Sequence, residues 1–218
     1  MMAKPGIFAG CPGLRRAAAL GAASVALLLG GCAGMSAQQA ASPTATTPAY
    51  QESIDISGRI SVQYEQGNSP QSLHGSFIWS QTARQTDLEL LSPLGQTVAT
   101  ISVKPGIATL VQSGRPPQVA PDVDELAAQS LGWPLPVSGM RQWLQGNGTD
   151  SAGKPFQAKP GENYASFSTK DGWRVVYANW QSDPDSGQTR PKRIDLTRDT
   201  EQAGKVSIRI AVDSWKKP

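Results

Sequence analysis

The chain has 218 residues, 39% of them apolar and 17% charged, which is long enough for one domain with a sizeable core. Twenty Lys and Arg against 17 Asp and Glu leave a formal charge of +3, and no basic run stands out, so composition gives no electrostatic reason to bind nucleic acid or strongly anionic lipid. One histidine and two cysteines exclude the clustered His or Cys sets of metal sites and nucleophilic catalysis.

The first residues carry Lys4, Arg15 and Arg16 and no acid, then run apolar from Ala17 to Leu29. That is the order of a secretory signal, and the apolar run falls short of the roughly 20 residues a membrane span needs. It ends in Leu29-Gly30-Gly31-Cys32, which resembles the bacterial lipobox, where cleavage precedes a cysteine that becomes acylated. Residues 1–31 therefore read as a lipoprotein signal peptide and Cys32 as the lipidation site. The alternative is a plain secretory signal with a leftover thiol. Cleavage removes Cys11 and takes the 20 basic residues to 17, equal to the acids, so the mature chain is formally neutral. Attachment then rests on acyl chains, each buried methylene contributing about 0.8 kcal/mol. Ala33, where an Asp would favour the inner membrane under the enterobacterial sorting rule, favours the outer one. Residues 32–48, rich in Ala, Ser, Gln, Thr and Pro, cannot bury enough surface to fold and read as a flexible tether. Residues 49–218 form a single domain.

Within that domain apolar residues alternate with polar ones at Ile54, Ile56, Ile60 and Val62, at Phe77 and Trp79, at Leu88 and Leu90, and at Ala99, Ile101 and Val103. The pattern resumes at Ile107 to Val111, Tyr164 to Ser168, Trp173 to Gln181, around Ile194 and Leu196, and from Val206 to Val212. Gly, Pro, Asn and Asp clusters separate about nine or ten such runs, which predicts a mainly β fold, an antiparallel meander closed wholly or partly into a barrel. The spacing of Val123, Leu126, Ala127 and Leu131 instead predicts a helix over Asp122 to Leu131, stopped by Gly132-Trp133-Pro134. A second short helix follows from Val137 through Met140, Trp143 and Leu144 to Gly146. These helices need an apolar surface to cover, and the concave face of the sheet is the candidate.

His74 sits in a strand pattern without a catalytic companion, and Asp122, Asp124 and Glu125 are the acids expected at a helix start. Nothing in the pattern asks for a cofactor. Ser92-Pro93-Leu94-Gly95 is more informative: Pro second and Gly fourth fit a type I turn, which puts Leu94 at a hairpin tip, where an apolar side chain is unusual. Leu94 either folds back on its own domain or meets a membrane or partner.

Taken together, Gly58-Arg59-Ile60-Ser61-Val62, Gly75-Ser76-Phe77-Ile78-Trp79, Leu88 through Gly95, Leu131 through Val137, Arg141-Gln142-Trp143-Leu144, Trp173 through Tyr177 and Val212-Asp213-Ser214-Trp215 resemble the LolB family of outer-membrane lipoprotein receptors. The resemblance implies an incomplete antiparallel β-barrel of about 10–11 strands, with short α-helices covering an apolar cavity that receives lipoprotein acyl chains. It implies as partners the periplasmic carrier LolA, lipoprotein cargo and outer-membrane lipid, with the protein acting as a monomer. By the same resemblance Pro93, Leu94 and Gly95 form a membrane-insertion loop. Candidates for the cavity wall are Leu90, Ile101, Leu126, Leu131, Trp133, Met140 and Trp143. Two other readings stay open, a periplasmic binder of other apolar ligands and a structural lipoprotein of an outer-membrane assembly complex. An enzyme ranks behind both, for lack of any convergent polar set.

Overall fold

The computed structural model describes residues 48–162, 164–182 and 187–216. The signal segment, Cys32 and the tether as far as Thr47 lie outside the described residues. From β1 (Ile54–Gln66) the chain meanders through β2 (Ser69–Gln81), β3 (Thr86–Leu91), β4 (Thr97–Lys104), β5 (Ile107–Gln112) and β6 (Gln118–Ala120). Helices α1 (Val123–Leu131) and α2 (Val137–Trp143) follow, then a ribbon of β7 (Asn147–Thr149) and β8 (Pro155–Gln157). The chain closes with β9 (Ala165–Ser168), β10 (Arg174–Ser182), β11 (Thr189–Thr200) and β12 (Gly204–Lys216). Among the described residues ten strands make one antiparallel sheet in the order β6-β5-β4-β3-β2-β1-β12-β11-β10-β9, so β1 and β12 pair while β6 and β9 are left as edges of an unclosed, barrel-like sheet. The twelve strands among the described residues exceed the expected number because β6, β7 and β8 have only three residues each, too few to display an alternation.

The period-two pattern translates directly into the core. Ile54, Ile56, Ile60 and Val62 of β1 are buried with Phe77, Trp79, Leu88, Ile101, Ile208, Ile210 and Val212 from the neighbouring strands. Val123, Leu126 and Ala127 of α1 and Val137, Met140 and Trp143 of α2 belong to the same cluster, so the helices cover this face. Among the described residues no helix is long and apolar enough to cross a membrane.

Two glycines from the strand blocks have steric reasons. A Cβ on Gly58 would lie 2.2 Å from the Ala211 carbonyl oxygen, where the β1–β12 register shifts, and one on Gly75 would lie 2.2 Å from the Leu91 carbonyl oxygen. The second lets the end of β3, and the turn after it, press against β2.

Asp122 caps α1, its side chain accepting from the Glu125 amide at 2.8 Å, and Gly132 ends it at φ 81. Helix α2 ends at Trp143, three residues before the expected Gly146, and its own cap residue, Pro136, supplies no side-chain bond. Asp124 of α1 makes up the deficit by accepting from the Ser138 amide at 2.9 Å and from the Ser138 hydroxyl. Burial holds the Asp124 carboxyl above its ordinary pKa, with Asp122 and Asp171 adding to the rise and the Ser138 bonds opposing it. Losing this cap in Asp124→Ala is expected to cost about 1 kcal/mol and to lower the Tm by about 2–4 °C, measured by calorimetry; Asp124→Asn, which keeps an acceptor, is expected to lose less.

Two buried glutamines fix the point where the chain enters the domain. The Gln145 carboxamide accepts from the Gln51 amide at 2.8 Å and donates to the Gln51 carbonyl at 3.0 Å. Gln81 takes the indole N–H of Trp79 and donates to Tyr50 Oη and the Gln51 carbonyl.

Candidate functional site

The turn between β3 and β4 forms as its residues require. The Gly95 amide donates to the Ser92 carbonyl at 2.9 Å, the Ser92 amide donates to the Gln96 carbonyl at 2.8 Å, and Gly95 takes φ +80, a value that favours glycine. The backbone is thereby fixed while the side chain it carries is not covered. Leu94 is 87% exposed, the most exposed large apolar side chain among the described residues, so it does not fold back on its own domain.

Beside the foot of this turn opens a cleft of about 340 Å³. Its walls come from Ile60 and Val62 of β1, Leu73 of β2, Leu90 of β3, Val98 of β4, and Leu131 and Trp133 at the end of α1; Pro93 forms its lip, with His74 and Gln112 as polar wall residues. Leu73 and Val98 are 44% and 47% exposed although each lines an apolar wall, so the cleft presents apolar surface that the domain itself leaves uncovered. Trp133 leans on Tyr64, ring centroids 6.4 Å apart.

Of the seven residues expected to line a cavity, Leu90, Leu131 and Trp133 meet in this cleft. Ile101, Leu126, Met140 and Trp143 do not line it; they are at most 5% exposed and packed in the core. Ile60, Val62, Leu73 and Val98 were absent from that set. Leu73 could have been found, because it continues inward the alternation of Phe77 and Trp79, past the point where Leu91 ends the neighbouring strand.

A larger cleft, about 610 Å³, is lined by Asp122, Asp124, Glu125, Asp171, Asp199 and Glu201 among others. Six carboxyl groups make it a poor host for hydrocarbon despite its size, since charge is costly to desolvate. His74 is exposed, its Nε2 3.2 Å from the Ser72 hydroxyl.

The family model for outer membrane lipoprotein LolB matches residues 52–215. An outer-membrane lipoprotein LolB from Cupriavidus pinatubonensis is 38% identical over 165 residues, covering 74% of this chain and 78% of that protein. Its counterpart in Cupriavidus taiwanensis is 39% identical over 165 residues, covering 74% and 80%. The one in Thiobacillus denitrificans is 33% identical over 204 residues, covering 93% and 98%. Among solved structures, a LolA superfamily protein from Nitrosomonas europaea superposes distantly, with TM-score 0.44 and 11% identity over 79% of this chain and 89% of that one. With a family match running from the first strand to the last and relatives above 30% identity over most of its length, the chain belongs to the LolB family of outer-membrane lipoproteins.

Proposed function

We propose that this protein is an outer-membrane receptor that takes lipoproteins from the soluble periplasmic carrier LolA, shelters their acyl chains in the cleft beneath α1, and passes them to the bilayer by way of the Leu94 turn. In this reading residues 1–31 are removed, Cys32 carries the acyl anchor, residues 32–48 tether the domain of residues 49–218, and the protein works as a monomer. The observation that carries it is the pairing of a bare leucine on a rigid turn with an apolar cleft opening at that turn's foot. Lipid in water exposes dozens of methylenes at about 0.8 kcal/mol each, so a carrier-to-receptor transfer needs an apolar surface at each stage. No nucleotide-binding motif appears in the sequence, and transfer runs downhill from weaker to tighter sites.

Capacity sets a condition on this mechanism. At about 30 Å³ per heavy atom, a figure taken from liquid water, 340 Å³ holds on the order of eleven atoms, less than one long acyl chain. Room for a whole lipid moiety would come from α1 moving off β5 and β6, on which it packs, and the Asp124–Ser138 bonds link α1 to α2. Depleting the protein tests the reading: other lipoproteins are expected to accumulate on the periplasmic carrier, and their normal arrival in the outer membrane would refute it.

A further inference from the structure

On the outer face of the sheet, register brings together cations that lie far apart in the chain. Arg59 stands opposite Ser76 on one side and Ala211 on the other; two residues along, Ser61 stands opposite His74 and Arg209. These residues and Pro93 line a groove of about 430 Å³. Gly75, His74, Ile60 and Pro93 border both this groove and the apolar cleft, so the two open on either side of the same turn.

The arginines are paired in an unusual proportion. Asp213 is held by Arg59 at 3.1 Å and also by Lys192 at 3.4 Å; Asp195 is held by Arg209 at 2.9 Å and also by Arg193 at 2.6 Å. Four cations share two carboxylates, and the two bordering the groove are the more exposed, with 66% and 59% of their side-chain surface free. If Arg59 and Arg209 turn toward an incoming anion, each aspartate keeps a partner, and exposed ion pairs of this kind contribute little that would resist the change. Two guanidinium forks, with the Ser61 hydroxyl beside Arg209 and the Ser76 hydroxyl beside Arg59, suit the oxygens of a phosphodiester.

We propose that this groove seats the phosphate of a bilayer phospholipid while Leu94 enters the hydrocarbon. The proposal rests on the reading of Leu94 as the membrane-contacting residue. Depth supports it: with the Leu94 side chain sunk about 5–10 Å into the headgroup boundary, the adjoining Pro93 and the strand ends behind it lie toward phosphate level, and Pro93 is shared with the groove.

The test uses unacylated chain, residues 33–218, which contains every described residue, with two kinds of vesicle. One is phosphatidylethanolamine with phosphatidylglycerol; the other is digalactosyldiacylglycerol, which offers acyl chains without phosphate. Arg59→Gln with Arg209→Gln is expected to weaken binding to the phospholipid vesicles about tenfold and leave binding to the galactolipid unchanged, with circular dichroism unaltered. Equal binding of the double variant and the parent to phospholipid, or equal binding of the parent to both vesicles, would overturn the proposal. Leu94→Glu is expected to lose both; normal binding by that variant would remove the reading on which the proposal rests, whereas failure of the arginine arm alone leaves that reading standing. Inorganic phosphate titrated alone is expected to give no saturable heat in the millimolar range. Saturable binding of phosphate, abolished in a double variant that still binds phospholipid vesicles, would assign the groove to a soluble anion instead.

Discussion

Replacing Leu94 by glutamate is expected to leave the receptor loaded and unable to deliver. The side chain is 87% exposed and adds little to the packing of the domain, so the fold and its Tm are expected to stay as they are. What changes is the free energy of entering the bilayer. Burying a leucine is worth about 1.5–3 kcal/mol, and a carboxylate not only forfeits this but resists desolvation, so loss of about 2 kcal/mol or more means delivery slowed by about thirtyfold or beyond. The measurement starts from carrier loaded with one lipoprotein and follows two steps separately: transfer to the receptor, and transfer from the receptor to vesicles. Failure of the first step, or an unimpaired second one, would remove Leu94 from the role given to it here.

The complementary variant acts one step earlier. Leu73→Glu puts a charge on the wall of the apolar cleft at a position open enough to water for the fold to survive it. An acyl chain entering beside it would have to strip water from a carboxylate, so acceptance from the carrier is expected to fall by tenfold or more, while affinity of the empty protein for vesicles is kept. Trp133→Ala would be a poorer choice, because Trp133 is buried and its truncation would cost about 3–5 kcal/mol of stability, confounding uptake with unfolding. Unchanged uptake by a folded Leu73→Glu protein would exclude this cleft from the acyl path. Leu94→Glu and Leu73→Glu thus stop the same relay at opposite ends, and a carrier-to-vesicle assay with both shows two distinct stalled species.

Much of this architecture is written locally. Alternation from Ile54 to Val62 and from Val206 to Val212 names the buried face of each strand, Asp122 and Gly132 bracket α1, and Pro93 and Gly95 define the turn that lifts Leu94. Periodicity reports which face a residue is on but not how deep it lies there. That is why Ile101 and Met140, on the correct face, are packed in the core, while Leu73, on a strand that outruns its neighbour's cover, and Val98, the extra residue at the β3–β4 register shift, line the opening. The cation groove was not legible either: Arg59, Lys192, Arg193 and Arg209 form no run in sequence, and only pairing of β1, β11 and β12 sets them side by side. The same holds for Gln81 and Gln145, whose task is to hold the backbone at Gln51, 30 and 94 residues away.

That clasp at Gln51 determines how a lipid-anchored molecule would hang. Gln81 pairs with Ile54 and Gly75 with Ile60, so the point of chain entry and the level of the Leu94 turn are separated by about 20 Å along the strands. In the proposed reading, an anchor at Cys32 would pull on the end of the domain away from the Leu94 turn, so the chain between them would need enough length to make up that distance. From Cys32 to Gln51 a fully extended chain covers at most about 65 Å, three times that separation. What the stretch from Ala33 to Pro48 would then supply is length: shortened to a few residues it would tie the molecule down by the wrong end, while its composition would be free to vary.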